Sequence, residues 1–384
     1  MSKAHEERDY IPREEVARFD PYGVRKKALE QEAASVDELG PMRVRRIGVM
    51  TGGGDSSAIN DCLSAIAREA ALRGIEVLGF RRGWAGVAGC DYMPLTPEVT
   101  EPHAYTGGTL LHTSRTNLFK VEGGAQKALA NMERIGVDGL IAIGGDDTLG
   151  VAHKLCGMGL RAVGIPQTID NDVGETDYAL GFDSAVSVAT ESMRRLRSTN
   201  FSHLTDMLVE VMGRDAGWIA LYAGLAGGAH YICVPESPVD LDDLAAHLRR
   251  RREAGNAYSM VCVSEGIELK GGKVAGEVDV FGHAKPGGVT FGMVDELKER
   301  LGEKPRNVVL SYLQRGGPPS AFDALLGMRM GMAAVDLLAD GKFDYMVASR
   351  GGEIVPVELA KALERNRTVP LEMYQRAQRL VRVI

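Results

Sequence analysis

Gly139-Leu140-Ile141-Ala142-Ile143-Gly144-Gly145-Asp146-Asp147-Thr148 decides the fold class. The run Leu140–Ile143 carries no polar residue. It reads as a strand covered on both faces, because a strand with one wet face would alternate. Two glycines, two carboxylates and then a helical pattern over Thr148–Met158 follow it. Strand, glycine turn and helix form the unit from which parallel sheets are wound. Ligands in such sheets bind beyond the carboxyl ends of the strands, so the informative residues are those after each strand.

Working outward, further strand candidates are Arg46–Met50, Glu76–Phe80, Ala162–Ile165, Met207–Val211, Tyr231–Val234, Ser259–Val263 and Val308–Tyr312. Helical patterns at Ala58–Leu72, Asp183–Ser198, Asp215–Leu225, Leu241–Glu253 and Val289–Leu301 lie between them. The alternation predicts doubly wound α/β architecture. At 384 residues the chain exceeds one ordinary core, which predicts two domains or one large unit with insertions. Residues 1–43 are charged and poor in glycine. They read as an N-terminal arm, either packed on the body or a neighbouring subunit, or partly disordered.

A formal net charge of −7 argues against a general nucleic-acid binder. It leaves room for an anionic substrate held by a local arginine cluster. Five cysteines, an odd number with no C-x-x-C pair, predict free thiols in a reducing compartment. No apolar leader and no run of about 18 apolar residues occurs, so a cytoplasmic location without membrane contact is the expectation.

Three strand ends carry chemistry. After the first strand, Thr51-Gly52-Gly53-Gly54-Asp55-Ser56-Ser57 opens a helix. Backbone N–H groups freed by consecutive glycines, with a helix N-terminus behind them, form a phosphate cradle; a tight turn without a ligand is the plainer reading. Neither a Walker A nor a G-x-G-x-x-G pattern is completed. Asp146 and Asp147 at a phosphate site would repel an anion unless Mg²⁺ intervenes, since that ion shares oxygen ligands with phosphates. The alternative is that both cap the following helix. After the strand ending at Ile165 comes Pro166-Gln167-Thr168-Ile169-Asp170-Asn171-Asp172. Two acids two residues apart in an extended loop point the same way, one able to accept a hydroxyl proton and the other to orient it or a metal. An Asx-turn would explain Asn171-Asp172 but not Asp170.

These strings, with Val211-Met212-Gly213-Arg214 and Gln314-Arg315-Gly316-Gly317, resemble in order and spacing the 6-phosphofructokinases, more the pyrophosphate-dependent type. The resemblance runs from about Arg46 to about Leu338 and leaves the arm outside. It implies two similar Rossmann-like three-layer α/β domains with mainly parallel sheets and the active site in the cleft between them. The phosphoryl-donor domain would be 44–181 plus 314–364, the sugar-phosphate domain 182–313 plus 365–384. By resemblance, Asp170 is the general base toward the sugar 1-hydroxyl, and Thr168, Asp172 and Arg214 complete the catalytic set. Arg115 bridges the transferring phosphoryl group. Asp146 associates with Mg²⁺. Gly53, Asp147, Gln167 and Lys120 belong to the donor site. Met212, Gly213, Glu265, Arg306, Tyr312 and Arg315 belong to the sugar-phosphate site, with Arg306 acting across a subunit boundary. A homodimer or homotetramer is therefore implied.

The chain departs from that pattern in places. Thr205 stands where the family usually has an arginine, and Tyr312 where many members have histidine. Losing one arginine from a phosphate clamp removes a contact worth about 1.5–3 kcal/mol, which keeps another sugar or polyol acceptor open beside fructose 6-phosphate. ATP-using members generally have glycine at the positions of Asp147 and Gln167, leaving room for the α-phosphate. Pyrophosphate users generally have aspartate at the first, as here, and lysine at the second. Gln167 fits neither pattern, so pyrophosphate is expected and ATP is the alternative. Positions of the family's regulatory nucleotide site, Ser64, Thr106 and Asn256-Ala257-Tyr258, are largely uncharged, which implies weak or absent effector control. A non-catalytic subunit of the same fold is the rival from another class, disfavoured because Asp146, Asp170, Asp172, Arg115 and Arg214 are all present. A dinucleotide-dependent oxidoreductase is disfavoured by the missing fingerprint. Trp84, Trp218 and the stretch Met328–Met332 read as core. Arg249–Arg252 reads as a solvated helix end, and His283 is given no role.

Overall fold

The computed structural model describes residues 44–271 and 288–383. The expectations for the arm 1–43 and for His283 lie outside the described residues. The described strands are β1 (Arg46–Thr51), β2 (Glu76–Phe80), β3 (Tyr92–Pro94), β4 (Gly139–Gly144), β5 (Ala162–Pro166), β6 (Asp206–Val211), β7 (Tyr231–Cys233), β8 (Ser259–Ser264), β9 (Arg306–Val309), β10 (Tyr345–Arg350) and β11 (Glu353–Glu358). The helices that shape the core are α1 (Ile59–Leu72), α2 (Gly124–Arg134), α3 (Asp146–Cys156), α4 (Phe182–His203), α5 (Trp218–Gly227), α6 (Leu241–Glu253), α7 (Val289–Leu301), α8 (Ala321–Ala339) and α9 (Leu371–Val381).

A seven-stranded sheet runs in the order β11-β10-β5-β4-β1-β2-β3. It is parallel except at its two edges, where β2 meets β3 and β10 meets β11 antiparallel. A four-stranded, wholly parallel sheet runs β7-β8-β6-β9. Side chains alternate faces along each strand, and both faces are covered. Ile141 and Ile143 of β4 pack with Ile47, Val49, α1 and α8, whereas Leu140 and Ala142 pack with α2 and α3. In the second sheet, Val209 and Val211 face α4 and α5, while Leu208 faces α6 and α7. Each sheet is thus the middle of three layers, the α/β arrangement expected from the unbroken apolar runs.

Helix ends are tied across the molecule. Asp323 in α8 is fully buried and accepts from both the backbone N–H and the hydroxyl of Ser184 in α4, at 2.7 and 2.6 Å. The Ser320 hydroxyl in turn donates to Asp183 at 2.6 Å, so the two helix N-termini cap one another. Buried Glu210 on β6 accepts from the N–H groups of Gly288 and Thr290 and from the Thr290 hydroxyl, capping α7 from a neighbouring strand.

Three expectations need correction. The strand expected at Val308–Tyr312 is β9, Arg306–Val309; Ser311 turns to φ +44° and a 3₁₀ turn carries the chain to Arg315. Only the first half of the arginine run, Arg249 and Arg250, is a solvated helix end. Arg251 is buried, its Nε donating to Ser259 Oγ at 3.1 Å, and Arg252 pairs with Asp206 and Glu303. The acidic loop is not extended throughout, because Asn171 sits at φ +53°. Trp84, Trp218 and Met330 are buried as core residues.

Candidate active site

The carboxyl ends of β5, β4 and β1 lie side by side in the large sheet, and those of β8 and β6 lie side by side in the small one. Residues following these five strands meet. At β1, Gly53 adopts φ +84°, its N–H donates to Ser114 O at 3.2 Å, and its carbonyl accepts from the Thr113 hydroxyl at 2.7 Å. Exposed Arg115 follows directly. The α1 N-terminus behind this turn has no side-chain cap from its N-cap residue, Ala58, while buried Asp61 stands in its first turn. At β4 the chain passes so close to β1 that a Cβ on Gly144 would fall 2.8 Å from Gly52 O and 2.6 Å from Thr148 Cβ. Only glycine fits there.

Asp146 and Asp147 form the first turn of α3, yet no side-chain cap is made. The capping alternative is thereby removed for this pair. Asp146 Oδ1 is buried without a partner. Burial, then the charges of Asp172 and Asp147, push its carboxyl up to about 7. An acid crowded only by other acids suits a divalent cation, which would neutralise all three. Among the described residues no cage of three or more His, Cys, Asp or Glu converges. A hard cation shared with phosphate oxygens needs no such cage.

The loop after β5 carries the remaining acids. Thr168 Oγ1 accepts from Asp170 N at 3.1 Å. Asn171 is buried and turned inward, its Oδ1 accepting from Ala179 N at 2.7 Å and its Nδ2 donating to Asp177 O at 3.2 Å. With Asn171 spent on the fold, Asp170 and Asp172 are left to the site. Burial and the charge of Asp172 push Asp170 up to about 7, against the pull of Arg315 and Arg214. Asp172 is also raised, first by burial, and a hydrogen bond from Thr168 opposes this. Those influences bring residues of both sheets to one place.

From the small sheet come Met212, Gly213, Arg214 and Glu265. Gly213 takes φ +123°, and its carbonyl accepts from Ser264 Oγ at 2.6 Å; a Cβ would strike Ala216 O and Ser264 Oγ at 2.8 Å. Met212 N donates to Gln314 Oε1 at 3.3 Å. Glu265 is pushed up to about 7 by burial and then by Asp170, with Arg315 among the opposing influences. The Arg315 guanidinium also lies against Gly54, and its Nε is buried without a partner. Arg315 therefore stands between donor cradle, Asp170 and Glu265. Exposed Tyr312 lies under Arg315, 5.4 Å from the guanidinium to the ring centre.

Other expected residues take different places. Gln167 is buried and its Nε2 donates to Gly54 O at 3.1 Å, leaving Oε1 without a partner. One of its two amide N–H donors is thus already engaged by the cradle. Lys120 is exposed at the end of a 3₁₀ turn, Leu118–Lys120, and forms no ion pair in the described structure. Arg306 is not brought to this cluster. It is the first residue of β9, opposite Met207 and at the far end of the small sheet from Met212. Two contributors were not legible as site residues. Asp215 pairs with Arg214 at 2.8 Å and adds charge against Asp170 and Asp172. Gln314 positions Met212, and its place inside the Gln-Arg-Gly-Gly string was the available signal.

A sequence profile described as Phosphofructokinase matches residues 46–338. The chain belongs to the phosphofructokinase family. Among its relatives, the pyrophosphate--fructose 6-phosphate 1-phosphotransferase of Amycolatopsis methanolica is 49% identical over 337 residues, 87% of this chain and 98% of that one. ATP-dependent 6-phosphofructokinase 3 of Streptomyces coelicolor is 43% identical over 337 residues, 87% of this chain and 99% of that one. The crystal structure of a pyrophosphate-dependent phosphofructokinase from Marinobacter aquaeolei shares the fold, with a TM-score of 0.75 at 22% identity, covering 87% of this chain and 92% of that one. No described helix is long and apolar enough to cross a membrane.

Proposed function

We propose that this phosphofructokinase-family chain is a phosphotransferase that moves a phosphoryl group from pyrophosphate to the 1-hydroxyl of fructose 6-phosphate, reversibly. The observation that carries the reading is the meeting of Asp146, Asp170 and Asp172 with Arg214 and Arg315 beside an uncapped, glycine-lined helix N-terminus. Asp170, with a carboxyl near 7, takes the hydroxyl proton as the sugar oxygen attacks phosphorus, and phosphate departs from the donor. Thr168 and Asp172 hold Asp170 in place. Arg214 and Arg315, with Arg115, stabilise the charge spread over the transferring group. Asp146 and its acidic neighbours would hold Mg²⁺, which when bound neutralises donor phosphate charge. Met212, Gly213 and Glu265 orient the sugar.

The donor half is assigned to 44–181 with 314–364 and the sugar half to 182–313 with 365–384. Support for this division comes from β10 and β11 joining the sheet that bears the glycine cradle. The placement of Arg306 away from its own chain's cluster supports a homodimer, or a larger assembly built from it, in which Arg306 completes a neighbour's sugar-phosphate site.

ATP is the second reading. It is favoured by the 43% identical ATP-dependent relative and by Gln167, which offers pyrophosphate no charge and has one of its two amide donors engaged by Gly54 O. Asp147 at the mouth of the cradle opposes it by repelling a further phosphate. Assaying fructose 6-phosphate turnover with pyrophosphate and with ATP, each with Mg²⁺, decides between them. Pyrophosphate-dependent turnover at least 10-fold above ATP-dependent turnover is expected, and the reverse preference rejects the proposal. Asp147→Gly with Gln167→Gly should then raise the ATP rate; no gain would place donor choice elsewhere.

A further inference from the structure

The chain passes once more between the sheets after β11, in residues 363–370, and there it touches the acidic loop. Arg367 N donates to Asp172 O at 2.6 Å. The Arg367 guanidinium donates from Nη1 to Asn171 O at 3.3 Å. The same guanidinium lies 4.0 Å over the Trp218 ring, while Trp218 Nε1 donates to Arg367 O at 3.0 Å. Glu236 fixes this strap to the start of α5, accepting from Gly217 N at 3.0 Å and from Val369 N at 2.8 Å. On the other side Gly174 packs so closely that a Cβ would lie 2.6 Å from Ala362 O and 2.8 Å from Arg365 O.

Asn171 is the pivot of that loop. Its left-handed backbone sets the directions in which Asp170 and Asp172 leave the chain. The Arg367 side chain binds the carbonyl of this pivot, and its cation is held over an indole whose own position is fixed by the same residue. Arg367 makes no described hydrogen bond to a carboxylate; its charge faces the loop backbone and the ring, with Asp177, Tyr178 and Tyr222 within electrostatic reach.

We propose that Arg367 is a positioning residue for the reaction, locking the Asp170-Asn171-Asp172 turn through Asn171 O and the Trp218 ring. The consequence for rate rests on the reading of Asp170 as the base. A displacement of about 1 Å at a reacting group costs about 100-fold in rate, whereas substrate contacts remote from it are unaffected.

The test uses the full chain, with Arg367→Ala, Arg367→Lys and, as a control, Arg365→Ala, whose side chain makes no described contact with the loop. Arg367→Ala should lower kcat about 10- to 100-fold with both KM values within about 3-fold. Arg367→Lys, which retains a cation for the indole face, should recover most of the loss, and Arg365→Ala should match wild type. Hydrogen exchange supplies a readout independent of turnover. In Arg367→Ala, amides of 168–177 should exchange faster, with the sheet strands unchanged. A kcat within 3-fold of wild type, a loss carried by KM, or unchanged exchange over 168–177 would each overturn the proposal. If the wild-type chain turns over neither donor, the reading of the reaction fails, and the exchange comparison alone decides whether Arg367 holds the loop.

Discussion

Asp170, Asp146 and Glu265 are each held near neutrality chiefly by burial, with other carboxylates adding to it. For Asp170 this suits general-base work, because a base with a pKa near the working pH is both ionised and a useful proton acceptor. Replacing Asp170 by Asn keeps shape and removes the base. Turnover should fall about 10²–10⁴-fold, while the thermal midpoint stays within a few degrees of wild type; an unchanged kcat would remove Asp170 from that role. The sign of the pH dependence follows directly. The acting form is ionised, so kcat should fall as pH drops through about 7 and level off above it. A profile flat from pH 6 to 8 contradicts the assignment. Asp170 and Asp172 were readable from their spacing, because paired acids after a buried strand have few structural uses. The tether of Gln167 to Gly54 was not readable, since it joins residues 113 positions apart and depends on how tightly β1 and β5 flank β4.

At the level of elements, the strands with unbroken apolar runs were legible and those with mixed character were not. β4 and β8 are buried along their whole length, which is why their sequences lack alternation. β11 carries Pro356 and lies at a sheet edge, where a missing N–H is tolerated but the strand signal is lost. β9 was read too far toward the C-terminus because Leu310 continues the apolar run, while Arg306 and Asn307, which open the strand, are polar. Its N–H still reaches Glu210 O, but the backbone turns away at Ser311. Glu210 itself shows how one side chain joins elements. Its carboxylate satisfies three donors at the start of α7. Glu210→Ala leaves these buried donors unpaired and should cost about 2–4 kcal/mol, measured as a lowered denaturant midpoint with an unchanged slope. A shift below about 0.5 kcal/mol would mean that water replaces the carboxylate.

For the whole molecule, the position of Arg306 makes a prediction about assembly. If Arg306 serves a neighbour's site, Asp170→Asn and Arg306→Ala each inactivate a pure oligomer by different routes. Subunits mixed after separate purification and allowed to exchange should regain activity. In a two-fold dimer, half of a random mixture is hybrid, and each hybrid holds one site with both residues intact. The recovered activity should approach about a quarter of wild type. No recovery after demonstrated exchange would confine Arg306 to its own chain. The resemblance assigned Arg306 to the sugar-phosphate site, but no periodicity in one chain can reveal a contact completed by another.

The strap through Arg367 also has a consequence for synthesis. Every described strand is complete by Glu358. A ribosome that has released the chain only that far has delivered both sheets, the glycine cradle and all the acids, yet Asn171 and Asp172 still lack their partner. The turn bearing Asp170 and Asp172 is therefore among the last features to be secured as the chain emerges, and a product ending between Glu358 and Arg367 would lack both hydrogen bonds from Arg367 to that turn.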